Sequence, residues 1–537
     1  RGRLDARRTL KSLVADLRRK QYSFLLLALT LLLSACSSED ESMEGILPPA
    51  IAGLESEYTL LAGEELTFAP TVENGEHATC LWTLDGAEVS REATYTFLAG
   101  NEAYTHTLSL QVSNEAGKDE KTARLNVISQ GSTVTLEAQT YTVVPIELNG
   151  TPLGGGTWKV TSAASDLYRL TGADTDIPSF IAAREGRYIL TAENEGSKTH
   201  VLVNVKERSG KLTSNIASVL DYMPAPGQFV NVLPEYEEGD THEDMVRKAG
   251  EWLVGDEAYA ITLGGWGGYV VVGFDHTIPN VAGLRDFRIN GNAFDAVDNG
   301  RPDAPKGGSC EPGIVMVAYD KNKNGRPDED EWYEIAGSGN FTTKTEAWYS
   351  IAVENGNDTD VFRDYEMTYY RPTREEPEES AEPDNPLAYI TIKDYIRWTD
   401  NRGNNEYKVK NVYHTQTYYP AWVDENQLTF HGIRLANNAI NEGKFNPGIN
   451  SGSVYFVLYS FRYGYVDNSP NVDDNSAIDI DWAVDREGNP VELPGVDFIK
   501  VYNGVNQENG WLGECSTEVE RGEDLHMQGK RIPTLEE

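Results

Sequence analysis

Apolar and polar positions alternate along much of this chain, the period of half-buried β-strands. Leu108, Leu110 and Val112 fall on one side of such a run. The polar turn Asn114–Gly117 follows, and Ala123, Leu125 and Val127 repeat the alternation in a return strand. The pattern predicts a hairpin within a small sandwich over residues 46–130. A shorter run, Leu81–Leu84, carries Trp82 just before a turn at Asp85 and Gly86. Its indole reads first as core packing between two sheets and second as a ring for ligand stacking. Residues 131–208 repeat the scheme. Thr191–Lys198 resembles the turn at Val112–Lys118, a closing strand runs from His200 to Val205, and Trp158 takes a place like that of Trp82. Two tandem sandwiches are therefore expected. Gly154–Gly156 reads as a flexible loop, because no Lys-Ser/Thr pair or helical pattern follows to make it a phosphate cradle.

Beyond an expected hinge at Glu207–Gly210, residues 211–537 form one larger block. One helix is predicted, from Thr241 to Val254, with Met245, Ala249, Trp252 and Leu253 on one face. Its expected role is to cap a sheet edge or barrel end. Every other strong signal is β: Tyr269–Phe274, Gly313–Tyr319, Ser453–Tyr459 and Val496–Tyr502, separated by Gly, Asn and Asp turns. Short strands of this kind predict a jelly-roll-like domain. The Pro- and Glu-rich stretch Arg371–Pro386 cannot bury a core and reads as an exposed loop.

The first 20 residues are rich in Arg and Lys, and the apolar run Phe24–Leu33 leads into Ser34, Ala35 and Cys36. A basic segment, a short apolar segment and small residues before a cut site make a secretory signal. The run is far shorter than the roughly 20 residues a membrane span needs. Leu33–Cys36 resembles a lipobox, which implies a signal peptide over 1–35 and lipidation at Cys36. The acidic tract after it, within a tether over 36–45, resembles the export tag of surface lipoproteins in Bacteroidota-type bacteria; a plain flexible tether is the other reading. The expected location is the outer face of the outer membrane.

The chain has 46 basic and 85 acidic residues; removal of residues 1–35, with eight basic and two acidic, leaves 38 against 83, a net charge of −45. Such a surface repels nucleic acid and anionic lipid and attracts divalent cations. Only Cys80, Cys310 and Cys515 follow Cys36, so at most one disulfide forms and no disulfide scaffold exists. Pairing of Cys310 with Cys515 stays open at this point.

The sharpest chemical signal is Asp320–Glu331. Asp320, Asn322, Asn324, Asp328 and Glu331 stand at positions 1, 3, 5, 9 and 12 of a calcium loop, Gly325 stands at position 6, and Arg326 offers its carbonyl at position 7. A hard cation takes six to eight oxygens, and one tight turn lets a single segment supply them. Strand-like runs on both sides predict a β-hairpin loop rather than an EF-hand, with calcium as a structural ion. A polar hairpin turn without an ion is the alternative. Asp479, Asp481 and Asp485 read equally as a second cation site or a solvated strand face.

Residues 46–130, with their Trp on a strand before a turn, resemble PKD and immunoglobulin-like modules. Leu263–Gly268, Gly273–His276, Gly291–Phe294, Glu311–Gly313, Trp332–Ser338, Asp479–Asp485 and Gly510–Glu514 together resemble a family of bacterial cell-surface proteins with a β-rich domain. Members accompany cobalamin-uptake systems of gut Bacteroidota. The resemblance implies an all-β chain: two tandem immunoglobulin/PKD-like sandwiches as a stalk, then a jelly-roll-like ligand-binding head with little helix. It implies a small-molecule or glycan ligand, vitamin B12 among them, and an outer-membrane transporter as partner. It transfers no ligand residue. Candidate contacts are Trp266, whose glycine neighbours would leave its face open, and the aromatic run holding Tyr413, His414, Tyr418, Tyr419 and Trp422, suited to stacking on sugars or a corrin ring. Core packing is the competing reading for each.

An enzyme is not expected. No nucleophile elbow, zinc-binding His pair or phosphate loop occurs, and the eight His lack metal-ligand spacing. Paired carboxylates suited to glycoside hydrolysis are unavoidable among 85 acidic residues and carry no information. The leading reading is a lipid-anchored ligand-capture protein. The alternative is an adhesin or structural surface protein with a calcium-stabilised β domain.

Overall fold

A computed structural model describes residues 46–129, 133–195, 197–256, 259–296, 301, 303–376, 389–442 and 455–535. The expected signal peptide, Cys36 and tether lie outside the described residues, as does most of the Pro/Glu-rich stretch. Among the described residues no helix is long and apolar enough to cross a membrane. The fold is all-β, with two α-helices among the described residues.

The chain divides into two compact units. In the first (described residues 46–56, 67–96 and 107–123), strand Thr79–Leu84 pairs antiparallel with Ala87–Ser90 on one side and with residues 108–113 on the other. Leu108, Leu110 and Val112 are fully buried, as their alternation requires. Trp82 is buried between the rings of Phe68 and Tyr95, 6.1 and 5.9 Å away, and its indole N–H donates to the Glu92 carbonyl at 3.0 Å. It is a core residue. The turn at Asn114 is held by its own side chain, which accepts the N–H groups of Ala116 and Gly117.

The second unit begins with Glu57–Leu66, adds Phe97–His106 and continues from Arg124. Strand Glu57–Leu61 runs parallel to residues 124–128. The second sandwich sets a four-stranded sheet (Val134–Gln139, Ser197–Lys206, Gly186–Asn194, Thr157–Ser162) beside a three-stranded one (Val144–Pro145, Ser179–Ala182, Tyr168–Thr171). Trp158, Phe180, Tyr188, Val201 and Val203 form its core. Leu61 and Ile128 pack with Ile189 and Leu202 of this sandwich. Beside them the Glu57 carboxylate takes Lys159 at 2.6 Å and Lys198 at 3.1 Å, and the Lys159 contact leads in lowering its pKa to about 2.

The head is built on a sheet ordered Ser218–Ala225, Gly265–Pro279, Gly495–Asn503, Gly313–Ala318, Trp332–Ile335 and Ala483–Val484, with Tyr465–Val466 joined to Gly313–Ala318. Strand Gly265–Pro279 is buried along nearly its whole length. That explains its apolar run, which does not alternate. Helix His242–Leu253 packs on the edge strand Ser218–Ala225. Thr241 and Asp244 close a capping box at its start, and Met245, Ala249 and Leu253 face the core. A second sheet (Asn405–Asn411, Ile390–Asp400, Phe362–Tyr370, Gln427–Arg434), a third (Phe294–Asp295, Gly307–Ser309, Phe456–Tyr459, Ala439–Asn441) and smaller two- and three-stranded sheets also belong to the head.

The expected hinge at Glu207–Gly210 requires correction. The second sandwich is docked on the head: Arg169 forks onto Asp481 at 3.0 and 2.7 Å, Glu492 accepts the Gly172 N–H, Arg531 pairs with Asp166, and Arg184 donates to the His526 carbonyl. Tyr141 packs its ring against His276, and an apolar cluster of Tyr141, Leu167, Ala183 and Val281 seals the contact. Cys80, Cys310 and Cys515 are free thiols.

Candidate calcium loop and the predicted contact residues

The loop Asp320–Glu331 joins two antiparallel strands, with Ala318 opposite Trp332 and Val317 opposite Tyr333. Lys323 and Gly325 take left-handed backbone conformations, at φ 58° and 80°, which bend the chain back on itself. Side-chain oxygens then accept the loop's own backbone N–H groups. Asp320 accepts the N–H groups of Asn324 and Gly325 at 3.0 and 2.8 Å, Asn322 accepts Asn324, and Asn324 accepts Arg326 at 3.0 Å. Glu331, on a single 3-10 turn Glu329–Glu331, accepts Lys321 N–H with one oxygen and Asp328 N–H with the other. Asp328 takes the side-chain amides of Asn322 and Asn324. The loop's entry is pinned from below, since the Asp320 N–H donates to Asp497, whose other oxygen takes Thr277 Oγ1. Loop side chains that already hold each other in place leave little ordering for a cation to impose.

The four predicted contact residues fare differently. Trp266 is fully buried, its N–H donates to the Ile433 carbonyl at 3.0 Å, and Tyr365 meets its ring edge-on at 4.7 Å. The expectation of an open face is corrected. Its glycine neighbours admit close packing instead: a Cβ on Gly267 would lie 2.5 Å from Phe430 Cβ. Tyr418 is buried, with its hydroxyl accepting Asn411 N–H and donating to the His414 carbonyl. Trp422 is half-buried and stacks between Tyr222 and Tyr236, at 6.2 and 6.3 Å. Trp266, Tyr418 and Trp422 meet within one apolar cluster, not on a binding face. Tyr413 alone is well exposed, at 63%. Asp479, Asp481 and Asp485 are also separated in role: Asp479 is buried and accepts Thr534, Asp481 takes Arg169, and Asp485 closes an exposed turn at Asn489.

Comparison with known proteins bears on the N-terminal module. Residues 48–114 match the family model of the PKD-like domain. The N-terminal module is thus similar to a PKD-like domain over those residues. No curated protein matches it. Among solved structures, a chimeric titin Z1Z2-Z1Z2 tandem functionalized with a fibronectin peptide is 19% identical, covering 30% of this chain and 100% of that one, with a TM-score of 0.14. Tandem Ig repeats of Dlar are 16% identical over 30% of this chain and 100% of theirs, with a TM-score of 0.18. The insect immune protein hemolin is 14% identical over 32% and 49%, with a TM-score of 0.15.

One group escapes sequence reasoning altogether. Glu311, Asp467 and Glu518 bring carboxylate oxygens within 4.8 Å of one another in the buried head. Burial, with mutual repulsion, pushes Asp467 and Glu518 well above the ordinary carboxylate range, and burial pushes Glu311 up to about 7. Each oxygen already takes a donor. Ser516 N–H and Ser309 Oγ serve Glu311; the N–H groups of Asn292 and Glu518 serve Asp467; Ser516 Oγ and the Asn292 amide serve Glu518. Burial and the closeness of the three groups disfavour a charge on all of them at once. The trio's members come from three distant segments, and no spacing signals it.

Proposed function

We propose that this chain is a lipid-anchored protein of the outer-membrane surface, tethered through Cys36. In this reading the PKD-like module and second sandwich carry a calcium-stabilised, β-rich head. The head captures a small molecule, such as a corrinoid, or a glycan, and passes it to an outer-membrane transporter. It binds and does not catalyse. The observation that carries the reading is the loop Asp320–Glu331, a β-hairpin turned by Gly325 whose Asp, Asn and Glu side chains stand at the spacing a calcium loop uses. A loop of this kind suits the millimolar calcium available outside cells.

The test has two parts. Calcium that binds only the folded state raises stability by about 2.7 kcal/mol at a hundredfold excess over its dissociation constant. The melting temperature of the full chain should therefore climb with calcium and fall with a chelator. Asp320→Ala combined with Glu331→Ala should abolish that response; an unchanged response would remove calcium from the proposal. Calorimetric titration of the calcium-saturated chain with cobalamin and with oligosaccharides then separates ligand capture from a purely adhesive or structural role, which predicts no heat with either.

A further inference from the structure

The head contains an open cleft of about 510 Å3, within the size range of ligand sites. It lies between the turn after helix Tyr349–Asn355, the sheet holding Ile390–Asp400 and Asn405–Asn411, and the loop at 506–508. None of the contact residues predicted from sequence lines it.

Its floor comes from two neighbouring strands. Trp398 stands directly opposite Glu406, and Lys408 follows on the same face. Lys408 is buried, with its ammonium 2.8 Å from Glu514 and 3.2 Å from Glu508. On the far wall Arg434 is buried, paired with Asp358 and stacked over Phe362 at 4.6 Å. Both cations in the lining are thus already neutralised by carboxylates. Adding Glu406 leaves the cleft without surplus positive charge, in a chain that is strongly acidic overall. An anionic ligand is disfavoured on both counts.

The walls are fixed before any ligand arrives. The Gln507 amide clamps the backbone of Ala439 from both sides, accepting its N–H at 3.2 Å and donating to its carbonyl at 3.0 Å. Asn357 donates to the carbonyls of Asn437 and Ala439 at 2.8 and 2.9 Å. The two loops that border the cleft therefore grip the same short segment. Preorganised walls spare a ligand the cost of ordering them.

An apolar ligand such as a drug-like ring system wants a mostly hydrophobic lining. This cleft is instead lined mostly by carboxylates and amides; several of them hold its walls, and Glu406 and Asn506 offer side chains suited to hydroxyls. We propose that it binds a neutral saccharide, with Glu406 and Asn506 contacting its hydroxyls while buried Trp398 backs the floor beneath Glu406. The inference rests on the reading that the head captures a ligand, and it names the place and the ligand class.

The test titrates the calcium-saturated full chain with neutral gluco-, manno-, xylo- and galacto-hexasaccharides, and with cobalamin. One saccharide class should bind. Glu406→Ala and Asn506→Ala should each weaken it by about tenfold, with unchanged melting temperature, and Tyr413→Ala should leave it unaltered. Saccharide binding that ignores both cleft variants overturns the cleft while keeping ligand capture, and so does binding of cobalamin without any saccharide. Silence with every probe overturns both.

Discussion

Replacing Glu311 by Gln should change how stability responds to pH more than it changes stability at low pH. In the fold this carboxyl sits with Asp467 and Glu518. Burial first, and the charge of Glu514 after it, raise its pKa from 4.5 to about 7 against the N–H of Ser516, which lowers it. The folded state therefore keeps a proton that the unfolded chain releases. Stability must fall as pH rises from about 4.5 to about 7 and level off above that. The shift corresponds to about 3 kcal/mol, most of it lost between pH 5 and pH 7. Gln is uncharged at every pH and of nearly the same shape. The variant should match the wild type near pH 5 and exceed it by about 3 kcal/mol at pH 8. Relief of Asp467 and Glu518 from a third charge acts in the same direction.

Urea unfolding at pH 5, 6, 7 and 8 reads the effect. Trapping of Cys310 and Cys515 with a thiol reagent makes the readout specific to the head, because both thiols are free and buried there. Parallel stability curves for wild type and Glu311→Gln would refute the reasoning. They would mean that the trio is neutralised by something other than shared protons.

Two further perturbations follow from the packing. Trp266→Ala should cost about 3–5 kcal/mol in urea unfolding, as for other buried aromatics, whereas Tyr413→Ala should stay within about 0.5 kcal/mol; similar costs would contradict the burial of one and the exposure of the other. Arg169→Ala with Arg531→Ala removes the charged ties between the second sandwich and the head. Each exposed pair contributes about 1 kcal/mol or less, so overall stability should barely move, but proteolysis within residues 207–211 should quicken. An unchanged cleavage rate would show that the apolar cluster around Tyr141 holds the docking alone.

Local patterns carried much of the fold. The hairpin of Leu108 to Val127 is legible because one face is buried and the other wet, which writes a period of two into the residues. Helix His242–Leu253 is legible for the matching reason at a period near 3.6, and Thr241 marks its start. Strand Gly265–Pro279 is only partly legible. It is covered on both faces, so its alternation vanishes, and its opening glycines look like a loop. They answer contacts from elsewhere in the chain: a Cβ on Gly268 would fall 1.9 Å from the Leu263 carbonyl oxygen. The docking of the second sandwich is hidden for a similar reason. Arg169 and Asp481 are unremarkable surface residues until the fold sets them face to face.

The candidate sites divide along the same line. The hairpin loop Asp320–Glu331 can be read because twelve consecutive residues form it, with Asp, Asn and Gly at the spacing that a calcium loop would require. Aromatic residues on strands carry no such signature. Trp266 and Tyr413 look alike in sequence, yet one is fully buried with Tyr365 edge-on to its ring and the other stands in solvent. Carboxylates are harder still, since with 85 acidic residues any one of them is uninformative alone. What gives a carboxylate a role here is its neighbour. Beside Lys159 and Lys198, Glu57 is held well below the ordinary carboxylate range and ties its strand to the second sandwich's sheet. Beside Asp467 and Glu518, buried Glu311 has its pKa pushed up to about 7. Opposite Trp398, Glu406 becomes part of a polar cleft wall. The first two assignments depend on contacts between residues far apart in the chain, which only the fold creates, whereas Trp398 and Glu406 face each other across one hairpin.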